Sequence, residues 1–281
     1  MNKGKTDLVV KSNKMIEASY RLNLVEQQII LFAICRSREE QKGFTSDTPV
    51  TIRAVDFAAQ FGTNEKKVYS QLKDAVDTLY DRSVTIHDTD PASGKARVTK
   101  TRWISQASYI DGAGCIQFIF APTVIPFITR LGDDGGFTSY RLAKIGGMSS
   151  AHAVRMYELL VQYLDIGHRE IEIVWLKEKL QLDGKHAAIK DFKKDVIDLA
   201  VTQINEHSDI KISYTQRKTG RVVTHLIFDI KAKPEPKAAK APKQIKLPAS
   251  ITAPVVKNAG SQTVQDARAA ALAMVRNGGR G

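Results

Sequence analysis

Two clusters of cationic side chains in this chain are spaced to grip a polyanion. Lys190, Lys193 and Lys194 fall within the first turns of one helical pattern, off its apolar stripe. Arg217, Lys218 and Arg221 surround the tight-turn pair Thr219-Gly220. Cations near the start of a helix meet base edges and phosphates in a DNA major groove, and a basic hairpin tip holds backbone phosphate. A weaker echo lies upstream, where Lys66, Lys67, Ser70 and Lys73 recur at helical spacing. The loop that would accompany them, 88–97, offers Lys95 and Arg97, opposed by Asp88 and Asp90.

Other chemistries find no residue set. The phosphate-cradling G-x-x-x-x-G-K-[ST] run is missing from the sequence. The six histidines form neither His-x-His nor His-x-x-x-His, so a metal-dependent nickase has no ligand set. Asp133-Asp134 reads as a solvated turn. Tyr140, Tyr157 and Tyr163 sit at helical spacing and read as core or rim rather than nucleophiles. The expectation is a protein with no enzymatic activity, no cofactor and no metal.

Amphipathic patterns supply the frame for the cations. Ile189, Phe192, Val196, Leu199 and Ala200 make one apolar stripe, which predicts a long helix. Ile210, Ile212 and Tyr214 alternate as a strand. Residues 222–228 read as its hairpin partner, with Val222, Leu226 and Phe228 on one side. Just upstream, 138–144 reads as a short helix stopped by Gly146-Gly147. Ser149 or Ser150 caps a helix reaching Asp165; 170–174 reads as a strand and 175–180 as a short helix.

The first half repeats that order. Asn23 can cap a helix over 22–40 that is apolar enough to be buried on most sides. A strand at 50–52, a short helix at 54–61 ended by Gly62, and a long helix at 64–82 follow. Val68, Leu72, Val76 and Leu79 form the stripe of the long helix. Strands are expected at 84–87, 96–110 and 114–120, then a short helix at 121–131 and a linker at 132–136. Trp103 and Trp175 read as core. This makes an α+β chain of tandem winged-helix domains, one over 1–136 and one over 137–232, with a disordered basic tail over 233–281.

Bulk properties agree with a polyanionic partner. Net charge is +12 and the pI is about 9.6. From Lys233 onward nine Lys/Arg face two acidic residues, and five of the nine prolines fall there. Such a tail adds salt-sensitive DNA affinity, or it is a solubilising extension. Two isolated cysteines, Cys35 and Cys115, suit a reducing cytoplasm. No apolar run long enough for a signal peptide or a membrane span occurs, so no membrane partner is expected.

The run from Asp191 to Ala200, closing at Ile204-Asn205, resembles the recognition-helix signature of theta-type, iteron-binding plasmid replication initiators (Rep proteins). Residues 150–163 look like the helix that opens their second winged-helix domain, and 10–36 is similar to their N-terminal opening. The resemblance spans roughly 8–231. It implies a monomer that binds directly repeated iterons at a plasmid origin, helps to open an AT-rich region, and recruits host DnaA and the replicative helicase. It also implies a dimer that binds an inverted repeat and represses its own gene, with the first domain supplying the dimer interface. Two other readings fit the same elements: a winged-helix repressor with no replication role, and a tandem winged-helix scaffold that binds protein.

Overall fold

The structure, a computed structural model, describes residues 7–40, 43–63, 65–110, 112–129 and 136–234. The tail expected over 233–281 lies outside these from residue 235, as do residues 132–135 of the expected linker.

The first module begins with β1 (Leu8–Ser12), α1 (Asn13–Ile16) and β2 (Ser19–Tyr20). Helix α2 (Leu24–Glu39) follows, and its start is explained by a reciprocal capping box. The Glu26 backbone N–H donates to Asn23 Oδ1 at 2.8 Å, and the Asn23 N–H donates to Glu26 Oε2 at 2.6 Å. Every residue of α2 from Glu26 to Cys35 is buried: the apolar run Ile29–Cys35 drives this, and the buried Glu26 is paired with Arg82 and Thr78. Next come β3 (Val50–Arg53), α3 (Ala54–Phe61) and α4 (Glu65–Asp81). Gly62 closes α3 at φ +63°, a left-handed conformation that glycine adopts without strain. Val68, Leu72, Val76 and Leu79 are fully buried along α4.

Strands β4 (Ser83–Thr89) and β5 (Ala96–Arg102) make the first wing. The expected single strand over 96–110 is in fact two. Trp103 breaks it, and β6 (Ile104–Ile110) joins a different sheet with β7 (Cys115–Phe120) and β3. The cause is burial: Trp103 is fully enclosed, edge-on to Tyr20 with ring centroids 4.9 Å apart. The strand turns a corner to put that indole inside. Helix α5 (Ile125–Thr129) ends the first described stretch.

A second correction concerns 138–144. The segment is not a helix but β8 (Phe137–Arg141) followed by one 3₁₀ turn, Leu142–Lys144. Its partner is β1, antiparallel, from Leu8 opposite Arg141 to Ser12 opposite Phe137. A long-range pairing overrides the local pattern.

The second module comprises α6 (Ala151–Val161), β9 (His168–Glu172), α7 (Ile173–Lys179) and a helix over 189–207. Ser150 caps α6 through the Ala153 N–H. The long helix runs as α8 (Ile189–Phe192), a π-helical segment (Lys193–Asp198) and α9 (Leu199–His207). β10 (Ile210–Thr219) and β11 (Val222–Ala232) form the second wing and pair with β9. Phe192, Val196, Ile197, Ala200 and Ile204 pack into one core with Leu226, Phe228 and Ile230. Leu199 and Val222, expected inward, are 42% and 65% exposed. The π turn rotates Leu199 outward, and a register shift near Arg217/Lys218 turns the far end of β11. Trp175 is half-buried rather than core, with the Arg169 guanidinium and the Lys179 ammonium 5.2 and 5.4 Å from its ring.

A buried ionic cluster joins the N-terminal strands to α6. Glu158 Oε1 accepts from Lys11 Nζ at 2.8 Å and Tyr140 Oη at 2.6 Å. Glu158 Oε2 accepts from Lys11 at 3.0 Å and Arg155 at 3.3 Å. Arg155 also donates to Tyr20 Oη and, at 3.1 Å, to the Ala18 carbonyl. Burial pushes the Glu158 carboxyl up, but the facing Lys11 and Arg155 charges more than reverse this and hold it below the usual range. Near-complete pairing is what makes three buried charges tolerable.

Candidate nucleic-acid interface

In the second module the exposed face of the 189–207 helix is set by what holds that helix. Gln203 clamps it to α6: its Oε1 accepts the Ser149 and Ser150 N–H groups, both at 3.0 Å. Asn205 exchanges two hydrogen bonds with the Ile212 backbone, at 2.8 and 2.7 Å. Lys233 Nζ donates to the Asn205 and Ser208 carbonyls at 2.6 and 2.7 Å, closing the C-terminal end of the helix where a cation suits the dipole. Gly147 lies against that end; a Cβ there would come within 2.6 Å of His207 Nδ1.

The opposite, N-terminal end is open. Lys190 and Lys194 are exposed, and among the described residues neither pairs with a carboxylate. Lys193 is half-buried and turns toward β10, donating to Gln216 Oε1 at 3.2 Å with its ammonium 5.6 Å from the Tyr214 ring. Lys177 donates to the His186 carbonyl at 2.9 Å, steadying the loop that leads into the helix.

The wing tip is the turn at Gly220-Arg221, with Gly220 at φ +62°. Lys218 and Arg221 are exposed there, likewise without a carboxylate partner among the described residues. Arg217 sits at the wing's flank, donating to Glu170 Oε1 on β9 at 2.5 Å. The structure therefore brings two exposed pairs, Lys190 with Lys194 and Lys218 with Arg221, to the helix start and wing tip of one module. It places Lys193 and Arg217 in side-chain contacts that tie helix and wing to their neighbours.

The first module presents less free charge. Lys67 and Ser70 are exposed on α4, while Lys73 is half-buried with its ammonium 5.0 Å from the Tyr109 ring. The Lys66 side chain lies outside the described residues. On the wing, Arg97 makes two bonds to Asp88, at 2.9 and 2.6 Å, and one to Asp90 at 3.4 Å. Hydrogen bonding from Arg97 holds the Asp88 carboxyl below its usual range. Asp90 also accepts from Ser93 at 2.7 Å, so the wing's arginine is paired while Lys95 stays exposed.

The tyrosines considered as nucleophiles are differently placed. Tyr140 and Tyr157 are buried, donating to Glu158 and Asp209 at 2.6 and 2.9 Å. Burial and those carboxylates push both phenols far above their ordinary range. Tyr163 is half-buried under Arg169.

Comparison with known proteins agrees with this architecture. The family model described as "Initiator Replication protein, WH1" matches residues 8–161, more than half of the chain, and "Initiator Rep protein, WH2" matches 172–230. The chain belongs to the initiator Rep protein family. This Rep protein shares its fold with the Pi initiator protein, solved in complex with iteron DNA. The TM-score is 0.67 at 21% identity, covering 83% of this chain and 100% of that one. A WH1 domain of the MSBI1.176 replication protein is 37% identical, covering 39% of this chain and 82% of that one, with a TM-score of 0.35. An uncharacterised 27.6 kDa protein of Escherichia coli is 21% identical over 228 residues, 78% of this chain and 93% of the relative. None of the described helices of this Rep protein is long and apolar enough to cross a membrane.

Sequence reasoning missed two contacts between the helix and the wing, Tyr214 with Asp198 and Lys193 with Gln216. The alternation around Tyr214 was visible, but nothing in sequence placed Asp198 opposite it.

Proposed function

We propose that this Rep protein initiates plasmid replication by binding directly repeated iterons in double-stranded origin DNA as a monomer. It is a non-catalytic binder. The second winged helix is the main reader: Lys190 and Lys194 enter the major groove while Lys218 and Arg221 grip phosphate, with Lys193 and Arg217 at the groove's edge. The first module adds a lighter contact through Lys66, Lys67, Ser70 and Lys73, and supplies the surface by which a dimer forms. As a dimer the protein binds an inverted repeat and represses its own gene. Bound monomers help to open the origin and recruit host DnaA and the replicative helicase in the bacterial cytoplasm. The observation that carries this reading is the pair of exposed cationic ends, helix start and wing tip, on one module of an initiator-family chain.

Footprinting on the DNA that flanks the gene tests it. Protection of direct repeats about two helical turns apart is expected; absence of any protected repeat overturns it. The repressor reading separates in a transformation assay, because only an initiator with its upstream DNA sustains a plasmid that lacks another origin.

A further inference from the structure

The geometry points to Tyr214 and Asp198 as positioning residues that lock the reading helix to its wing, through a π turn that exists to aim Asp198. Tyr214 Oη donates to Asp198 Oδ1 at 2.6 Å. Lys193 also reaches β10, its Nζ 3.2 Å from Gln216 Oε1 and 5.6 Å from the Tyr214 centroid. The ring itself is seated on Phe228, centroids 5.7 Å apart, so it is anchored in the core of the wing sheet.

Lys193 and Asp198 are the first and last residues of the π-helical segment. They are five apart. In an α-helix of 3.6 residues per turn, residues five apart point about 140° away from each other. The wider i→i+5 turn brings them to the same side. An ordinary α-helix would therefore let one of the two reach β10 and send the other to solvent. The π turn lets both grasp one strand. It also turns Leu199 outward, an apolar exposure with no gain in packing.

What the lock fixes is the distance between the two cationic ends. Lys190 and Lys194 lie at the helix side of the brace; Lys218 lies further along the strand that carries Tyr214 and Gln216, and Arg221 in the turn that follows it. Arg217, next to Gln216, ties that strand to β9 through Glu170 at 2.5 Å. A helix and wing held at one spacing match one groove geometry; a loose pair still binds phosphate but reads sequence poorly.

This inference rests on the DNA-reading role proposed above, and its test keeps the two apart. Tyr214→Phe removes only the hydroxyl and leaves the ring on Phe228. Asp198→Asn keeps an acceptor oxygen, and Asp198→Ala removes it. Affinity is measured for a direct-repeat duplex and for a scrambled duplex at equal salt, with the melting midpoint of each variant. Tyr214→Phe and Asp198→Ala are expected to lower the ratio of repeat to scrambled affinity about tenfold, the scale of one charge-assisted hydrogen bond. Asp198→Asn should recover most of that ratio. Amide hydrogen exchange across 193–198 should quicken in the free Tyr214→Phe protein while the melting midpoint holds. An unchanged ratio in Tyr214→Phe overturns the lock. A fall in both affinities together, or in the melting midpoint alone, also overturns it, because the residue then serves stability only. If the wild-type protein does not prefer the repeat duplex, the DNA-reading role itself fails.

Discussion

The two winged helices of this Rep protein share an order of elements and differ in how they treat charge. In the first, the wing arginine is consumed: Arg97 lies against Asp88 and Asp90, and Lys73 leans on Tyr109. In the second, the supporting contacts fall on Lys193 and Arg217, and the outermost cations are left exposed. A cation beside carboxylates adds less to the local positive field that draws a phosphate than one standing alone. The same fold thus leaves cations bare in one half and holds its wing arginine in ion pairs in the other.

The strongest way to disturb this division is at the junction. Lys11→Met leaves Arg155 to balance the buried Glu158 carboxylate. Removing one partner of a buried pair costs about 3 kcal/mol. Calorimetry should record a melting midpoint several degrees lower; an unchanged midpoint would mean that the cluster does not hold the halves together.

Next in size is the contrast between α4 and the 189–207 helix. Lys190→Ala with Lys194→Ala should weaken binding to a direct-repeat duplex about a hundredfold, at one to two lost contacts of about 1–3 kcal/mol each. Lys67→Ala with Ser70→Ala should cost about fivefold, the loss of a single phosphate contact of about 1 kcal/mol. Equal losses in gel shifts would erase the ranking of the modules.

The wings provide a subtler comparison. Lys218→Ala with Arg221→Ala should flatten the slope of log affinity against log salt by about two, one per lost phosphate contact. Arg97→Ala should hardly alter that slope, because its charge is already cancelled. A matching change in both would show that the first wing also releases counterions.

The pH dependence of stability probes the same junction. Glu158 titrates below an ordinary glutamate in the folded protein, so its contribution is present above the unfolded value near 4.3 and is lost as pH falls through the lower, folded value. Glu158→Gln should be less stable at neutral pH and should show a flatter acid limb than wild type in urea melts.

Much of this frame is written locally. The Asn23–Glu26 capping box, the Gly62 stop and the α4 stripe are short-range signals, and the helices they mark stand where the spacing puts them. The misreadings have non-local causes. Residues 137–141 are strand because β1 lies beside them, and the Trp103 corner follows from the space beside Tyr20. The π turn is invisible to a 3.6-residue pattern, so Lys193 reads from sequence as one of three equivalent lysines. Which cations are left exposed depends on carboxylates from other elements, and a single sequence does not give those distances.

The β1–β8 pairing also has a consequence for synthesis. Asn13 and Thr138, hydrogen-bonded at 2.7 Å across that junction, are 125 residues apart in the chain. At about 5–20 residues per second, the ribosome delivers the second strand roughly ten seconds after the first. Through that interval Val9 and Val10 have no sheet partner, and Lys11 has no carboxylate to face. The N-terminal strand is translated early and placed late.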